Sequence, residues 1–333
     1  MSPRSSRGGA ARAGAHPHPL RIATRSSELA LRQARIVQSA VAARGIAAEL
    51  VTFKTVGDKR FDEPLSAIGG KGLFTRELED ALAAGRVDCC VHSLKDLPTE
   101  SPAGLRLVAL LEREDPRDVL VVNDAIVAEG VHDLPRGSRV GTSSLRRRAQ
   151  LLHARPDLDV VELRGNVPTR LRKVEEGQVH AAILAAAGLQ RLGVHQRIDA
   201  WLEPPAWLPA AGQGVIAVQA RADDEDVMSL LAPLHHEPTE IAVRAERAFL
   251  AALEGGCQVP IGALAMQSEI GFVLHGLIAD ASGRRVVRGE EPVSSQDPEN
   301  AGARLADELL HRGAREILDA LRGASRVPAP QPE

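Results

Sequence analysis

Three kinds of side chain in this sequence could do chemistry: a cysteine in a glycine-rich loop, a carboxylate just after a strand, and arginines spread over several loops. The cysteine is Cys257, within Glu254-Gly255-Gly256-Cys257-Gln258-Val259-Pro260-Ile261-Gly262. The glycines open that loop and Pro260 stiffens one side of it. A thiol with an ordinary pKa near ~8.5 needs little help to act as a nucleophile. No partner histidine can be picked out, so a protease-like triad is poorly supported. A buried, inert thiol is the alternative, and it is the reading adopted for Cys89 and Cys90 inside a strand. Lys95 and Asp96 directly follow the predicted strand Val87–His92, and Pro98 ends the turn. A carboxylate there could bind a developing cation or shuttle a proton. A plain surface Lys–Asp pair is the competing explanation.

The arginines share one kind of location. Arg25 lies in the first strand-to-helix loop, and Arg146, Arg147 and Arg148 lie just inside a later helix. Arg164 ends a strand, Arg170 follows in the next helix, and Arg191 sits after another strand. Ligands of parallel α/β sheets bind beyond the carboxyl ends of the strands, where helix N-termini add free N–H groups. The guanidinium fork fits a carboxylate or phosphate. Each charge-assisted bond contributes roughly 1.5–3 kcal/mol net, so several together could hold a multiply anionic ligand. One such arginine alone reads as solvated surface charge, whereas the set at strand ends reads as a binding cleft. Gly69-Gly70-Lys71-Gly72 could cradle an anion, although the full P-loop pattern is absent. Gly212-Gln213-Gly214-Val215-Ile216-Ala217 mimics a dinucleotide fingerprint only weakly, having no clear strand before it and no helix after it.

The elements that must position these residues alternate. Leu20–Thr24 reads as a strand. Ser26 and Ser27 offer capping oxygens to a helix with Ala30, Ala34, Val37 and Val41 on one face. Ala48–Lys54 reads as a strand, Leu73–Ala84 as a helix and Val87–His92 as a strand; Thr55–Gly72 is too long for an ordinary connection. The pattern restarts with strand Ser138–Gly141 and the helix opened by Thr142-Ser143-Ser144. Strand Val160–Leu163, a helix beginning near Pro168, strand Ala181–Ala185 and a helical turn near Leu189–Leu192 follow. Ile22-Ala23-Thr24-Arg25-Ser26-Ser27 resembles Val140-Gly141-Thr142-Ser143-Ser144, a weak internal repeat of two α/β domains. The last third differs. It has a helical stripe at Ile241, Ala245, Ala248 and Ala252, and short strands at Ile261–Gln267, Phe272–Ala279 and Arg285–Glu290. A long amphipathic helix carries Leu310, Ala314, Ile317 and Leu321.

Composition narrows the function classes. The 333 residues suggest two or three domains. Aromatic residues are 2%, so the core is aliphatic and base stacking on nucleic acid is disfavoured. A net charge of −3 leaves no overall basic field for DNA or RNA. Three cysteines, two of them adjacent, argue against a disulfide framework, and no spacing suggests a zinc site. His235-His236 reads as a polar turn. No apolar run is long enough to span a bilayer, and residues 1–19 lack the apolar centre of a secretion signal. A cytoplasmic location is expected, with 1–19 and 324–333 as disordered tails.

Taken together, several short motifs resemble the porphobilinogen deaminase family from about Leu20 to about Leu321. They are Arg21-Ile22-Ala23-Thr24-Arg25, Gly69-Gly70-Lys71-Gly72-Leu73-Phe74, and Val91-His92-Ser93-Leu94-Lys95-Asp96-Leu97-Pro98. Further along stand Glu114-Asp115-Pro116-Arg117-Asp118, Gly141-Thr142-Ser143-Ser144-Leu145-Arg146-Arg147, Leu163-Arg164-Gly165-Asn166-Val167, and Gly255-Gly256-Cys257-Gln258-Val259-Pro260. The resemblance implies an α/β fold of two similar, type II periplasmic-binding-protein-like domains with mainly parallel sheets. It also implies a small α+β C-terminal domain with an antiparallel sheet. Residues 20–114 with 215–234, 115–214, and 235–323 are the expected domains. The implied reaction condenses four porphobilinogen molecules, with release of ammonia, into the linear tetrapyrrole hydroxymethylbilane. It is built on a dipyrromethane held through Cys257.

By the same resemblance Asp96 is the catalytic carboxylate. Lys95, Thr142, Ser144, Arg146, Arg147 and Gly165 would hold the cofactor. Arg25, Ser27, Lys71, Phe74, Arg164, Arg170, Arg191 and Gln213 would meet substrate. No metal, nucleic acid or membrane is implied, and a monomer is expected. Ala67 departs from the pattern, standing where several members carry Lys. A non-catalytic solute-binding protein is the competing class, weakened by the missing export signal and the placement of Cys257.

Overall fold

The computed structural model describes residues 18–55, 75–253, 259–269 and 271–326. The first strand, β1 (Leu20–Arg25), is buried on both faces, as a strand covered by helices must be. Ser27 caps α1 (Glu28–Ala42) by accepting from the Ala30 N–H at 3.4 Å, and Ala34, Val37 and Val41 turn inward. β2 (Ala48–Phe53), α2 (Arg76–Ala83), β3 (Cys89–Ser93) and β4 (Leu105–Leu110) follow. The chain then builds a second unit: β5 (Asp118–Val122), β6 (Arg139–Gly141), α3 (Leu145–Ala154), β7 (Asp159–Val161), α4 (Val167–Glu175), β8 (Ala181–Ala185), α5 (Ala186–Leu192) and β9 (Ala200–Leu202). It returns to the first unit with β10 (Ile216–Arg221) and α6 (Glu225–Leu231).

The two five-stranded sheets have one connectivity. Their orders are β2-β1-β3-β10-β4 and β7-β6-β8-β5-β9. In each, one strand runs against the rest: β10 is antiparallel to β3 and β4, and β5 to β8 and β9. Both odd strands lie where the chain passes between units, so residues 111–117 and 203–215 run side by side. Leu111 N–H donates to Ile216 O at 3.0 Å and Glu114 N–H to Gly214 O at 3.1 Å. At Gly214 φ is +89°, and an added Cβ would lie 2.3 Å from the Glu114 carbonyl oxygen. Only glycine lets the two crossing segments approach this closely.

The third unit packs α7 (Glu237–Ala252) and α8 (Pro298–Leu309) on an antiparallel sheet of β11 (Ile261–Ser268), β12 (Gly271–Ala279) and β13 (Val286–Val293). Its centre is Phe249, fully buried with Leu274, Ile278, Leu305 and Leu309. Burial of such a side chain contributes about 1.5–3 kcal/mol. The single long helix expected around Leu310 and Leu321 is in fact interrupted. Gly313, at φ 105°, breaks it into α8 and α9 (Arg315–Arg326), separated by a widened turn at Leu310–Ala314. Apolar spacing alone runs straight through such a break, because Leu309 and Ile317 stay buried on either side of it.

Candidate functional site: a cationic cleft around Asp96 and Asp118

The site is built outward from Asp118, the first residue of β5, which is completely buried. Four side-chain donors reach it. Arg146 Nη1 lies at 2.6 Å and Arg147 Nη2 at 2.7 Å, both from the first turn of α3. Trp207 Nε1 donates at 2.9 Å and Gln213 Nε2 at 2.8 Å. Burial by itself would raise the Asp118 pKa, but the two guanidinium groups hold its carboxyl well below the usual carboxylate range. Backbone carbonyls complete the arginines' contacts, Leu208 O to Arg146 at 2.7 Å and Ile183 O to Arg147 at 3.0 Å. Arg147 Nε is buried and has no partner among the described residues. Such an orphaned donor is costly unless a ligand oxygen meets it.

Gln213 links this centre to the first unit. Its Oε1 accepts from Lys95 Nζ at 3.2 Å, while its Nε2 serves Asp118 and the Pro116 carbonyl. Lys95 and Asp96 sit on a single 3-10 turn, Leu94–Asp96, directly after β3. Burial, with Arg147 next, lowers the Lys95 pKa from 10.5 to about 8; Asp96 and Asp118 oppose the shift. Arg170 on α4 is likewise lowered to about 10, first by burial, then by Arg147 and Arg164, again opposed by Asp96. Asp96 therefore acts on cations of both units. Among the described residues, Lys95, Arg146, Arg147, Arg164 and Arg170 interact with the carboxylates Asp96, Asp118 and Glu162. Positive charge is in surplus, and it is partly desolvated.

The other predicted residues are placed as follows. Thr142 Oγ1 accepts from the Ser144 N–H at 3.2 Å, and Ser144 caps α3 through the Arg147 N–H at 3.4 Å, so both hydroxyls shape the loop that presents Arg146 and Arg147. The Gly165 carbonyl accepts from Arg170 Nε at 2.8 Å and orients that guanidinium. Arg164 Nε donates to Glu162 at 2.6 Å. Arg191 Nη2 donates to the Gly214 carbonyl at 2.5 Å, which ties α5 to the crossing segment. Arg25 stands at the end of β1 and, after burial, helps push His92 down to about 4. Ser27 holds the start of α1. Lys71, Phe74 and Cys257, as well as Ala67 and the glycine turn 69–72, lie outside the described residues.

Sequence reasoning left Asp118 without a role, although it stood in the motif Glu114–Asp118. The available signal was an acid directly before the wholly apolar run Val119–Val122, a position that places a carboxylate inside the protein. Glu246 was missed too. It is fully buried on α7 and accepts from Arg113 at 2.5 Å and 3.2 Å, from Gly212 N–H at 2.7 Å and from Ala265 N–H at 2.9 Å. Cys89 and Cys90 are buried free thiols, and burial raises the pKa of each. His235 and His236 form a polar turn, bonding Glu240 and Thr239 at 3.0 Å and 2.8 Å. Among the described residues no cluster could hold a metal ion, and no helix is long and apolar enough to cross a membrane.

Two sheets of one topology, joined by a pair of crossing segments and lined with buried guanidinium groups, define a two-unit α/β protein extended by an α+β unit. Residues 20–229 match the model "Porphobilinogen deaminase, dipyromethane cofactor binding domain", and residues 240–311 match "Porphobilinogen deaminase, C-terminal domain". The chain belongs to the porphobilinogen deaminase family, a family of transferases acting on porphobilinogen. A porphobilinogen deaminase of Syntrophobacter fumaroxidans is 48% identical over 304 residues, covering 91% of this chain and 97% of the relative. One from Moorella thermoacetica is 51% identical over 308 residues, covering 92% and 97%. Among solved structures, the methionine-binding protein MetQ overlays with a TM-score of 0.42 at 14% identity, over 71% of this chain and 94% of that one.

Proposed function

We propose that this chain joins four porphobilinogen molecules, one after another, into hydroxymethylbilane, with Asp96 as the catalytic carboxylate. The observation that carries this reading is the cluster of partly desolvated cations around Asp96 and Asp118, including the orphaned Arg147 Nε. Each porphobilinogen brings two carboxylates, and a growing chain accumulates more; the cluster suits such a polyanion. A dipyrromethane joined as a thioether to Cys257 would supply the free pyrrole position at which each new unit is attached. Arg147 and Lys95 would hold its acidic side chains, with Arg146, Thr142, Ser144 and Gly165 setting the loops that present them. Arg170 and Arg164 would take the incoming substrate, and Arg25, Ser27, Lys71, Phe74, Arg191 and Gln213 would support its binding or closure over it. Asp96 would stabilise positive charge on the substrate's pyrrole nitrogen as ammonia leaves. The three sheet-centred units would act as domains 20–114 with 215–234, 115–214 and 235–323, in a monomeric cytoplasmic enzyme.

Intact mass tests the tether. The purified, mature chain should exceed the polypeptide by the mass of two linked pyrrole rings, and Cys257→Ser should lack that increment. An unmodified native chain would instead favour a non-catalytic carboxylate-binding protein. A second test uses pH. The Lys95 pKa falls below its unfolded value, so between pH 8 and about 10.4 the unfolded chain holds the extra proton and stability rises with pH across that window. Attraction for anions moves the other way, because Lys95 loses its charge in the folded protein as pH passes about 8. Capture of the dipyrromethane's acidic side chains by the unloaded chain, read as cofactor loading by intact mass, should fall through that pH. In Lys95→Gln loading should already be reduced at neutral pH and show no such step.

A further inference from the structure

We infer that Arg247, on α7, is a positioning residue that fixes the turn carrying Asp96. The inference rests on the assignment of Asp96 made above. Among the described residues that turn is held by Leu94 N–H donating to Val215 O at 3.0 Å, by Lys95 Nζ donating to Gln213 Oε1 at 3.2 Å and, at its close, by Leu97 N–H donating to Leu94 O at 3.1 Å. Beyond Leu97 the chain leaves β3 without joining a strand until β4. In that stretch three successive carbonyls converge on one guanidinium. Arg247 Nη2 donates to Pro98 O at 2.6 Å and Thr99 O at 3.0 Å, and Nη1 to Leu97 O at 3.5 Å.

This is a costly way to fasten a loop. Burial lowers the Arg247 pKa, and among the described residues no carboxylate forms a salt bridge with it. A partly buried cation satisfied only by carbonyl dipoles gives little stability relative to an apolar side chain of similar volume. What it does give is geometry, since a planar fork can gather several acceptors at once where an ammonium acts as a point charge.

The rest of the helix face serves the same purpose. Val243, one turn earlier, packs on Leu94 and Leu97, and the adjacent Glu246 grips the crossing segment at Gly212. Residues 243, 246 and 247 share one helical face through the i, i+3, i+4 spacing. Ten residues further along the chain stands Cys257. The unit that bears the proposed tether thus also sets where Asp96 stands relative to it.

The test compares holoenzymes whose cofactor loading is verified by intact mass. Arg247→Ala should lower kcat about tenfold to a hundredfold, as expected for misplacement of a reacting group, while KM stays within about twofold. In an Asp96→Glu background, where the carboxylate is already displaced, the same substitution should lower kcat less than about threefold, because coupled residues are not additive. Arg247→Lys, which keeps charge and one donor, should recover part of the loss. Equal factors in both backgrounds, or an unchanged kcat in Arg247→Ala, would overturn the inference. If Arg247→Ala does not fold, Arg247→Lys is carried through the same two backgrounds. Near-normal turnover in Asp96→Ala would remove the catalytic assignment beneath it, a result distinct from either outcome at Arg247.

Discussion

Asp118→Ala should destabilise the protein by about 3–5 kcal/mol, because it strands two buried guanidinium groups that were compensated by one carboxylate. Arg146 and Arg147 are only 5% and 6% exposed, so neither can swing out to water without disturbing α3. Trp207 and Gln213 would lose an acceptor at the same point, and Gln213 would loosen its hold on Lys95. Activity should therefore collapse along with stability. Denaturant unfolding checks the first effect and ammonia release the second; a loss under about 1 kcal/mol, the scale of an exposed pair, would refute the central role given to this carboxylate. The pH dependence has a definite sign. The folded-state pKa of Asp118 is depressed, so its contribution is complete above the unfolded value near ~3.9 and disappears as pH falls toward the folded one. Asp118→Ala should lack that acid-side decline.

Asp96→Ala should do the reverse, ending turnover while leaving the fold in place. Its carboxylate is half-buried on a turn and makes no hydrogen bond or ion pair among the described residues. A change in stability within about 0.5 kcal/mol is expected, as for a surface substitution away from packed features. The rate of ammonia release should drop about 10²–10⁴-fold, the range for a positioned acid–base or charge-stabilising group. Removing the anion leaves Arg170 without the carboxylate that opposes its depressed pKa and leaves Lys95 with Asp118 alone, so the Lys95 step should move below pH 8. Retention of more than a tenth of the native rate would sink the role assigned to Asp96. The two variants separate one carboxylate that organises cations from another that meets the reacting ring.

The contrast between those residues also explains what could be read from the sequence. Helices with clean spacing were legible: Ala34, Val37 and Val41 are buried on α1 as their period requires, and Ser27 caps it. The three strands of the last unit were legible from short apolar runs and the turn at Asp280–Gly283, whose Gly283 N–H donates to Asp280 O at 3.1 Å. β4, β5, β9 and β10 did not stand out. They are short and apolar, and their meaning comes from pairing with strands far away in the chain, as Ala217 does with His92 and Leu110. The arginines were legible as a set by their position after strands, but not their duties. Arg146 and Arg147 look alike in sequence to any surface pair; only tertiary packing brings Asp118 against them, and only tertiary packing directs Arg191 to a backbone carbonyl. The clamp formed by Glu246 and Arg247 left no signal, since charged residues on a helix are ordinarily solvent-facing.

The interleaved connectivity has a consequence for synthesis. Among the described residues β4 pairs only with β10, and about a hundred residues of the second unit separate them. At a ribosomal rate of roughly 5–20 residues per second, β4 waits on the order of 5–20 seconds for its neighbour to emerge. Throughout that interval a nascent polypeptide exposes the edge of an unfinished sheet, while the unit encoded in between already holds all five of its strands. The middle of the gene product can mature before its beginning.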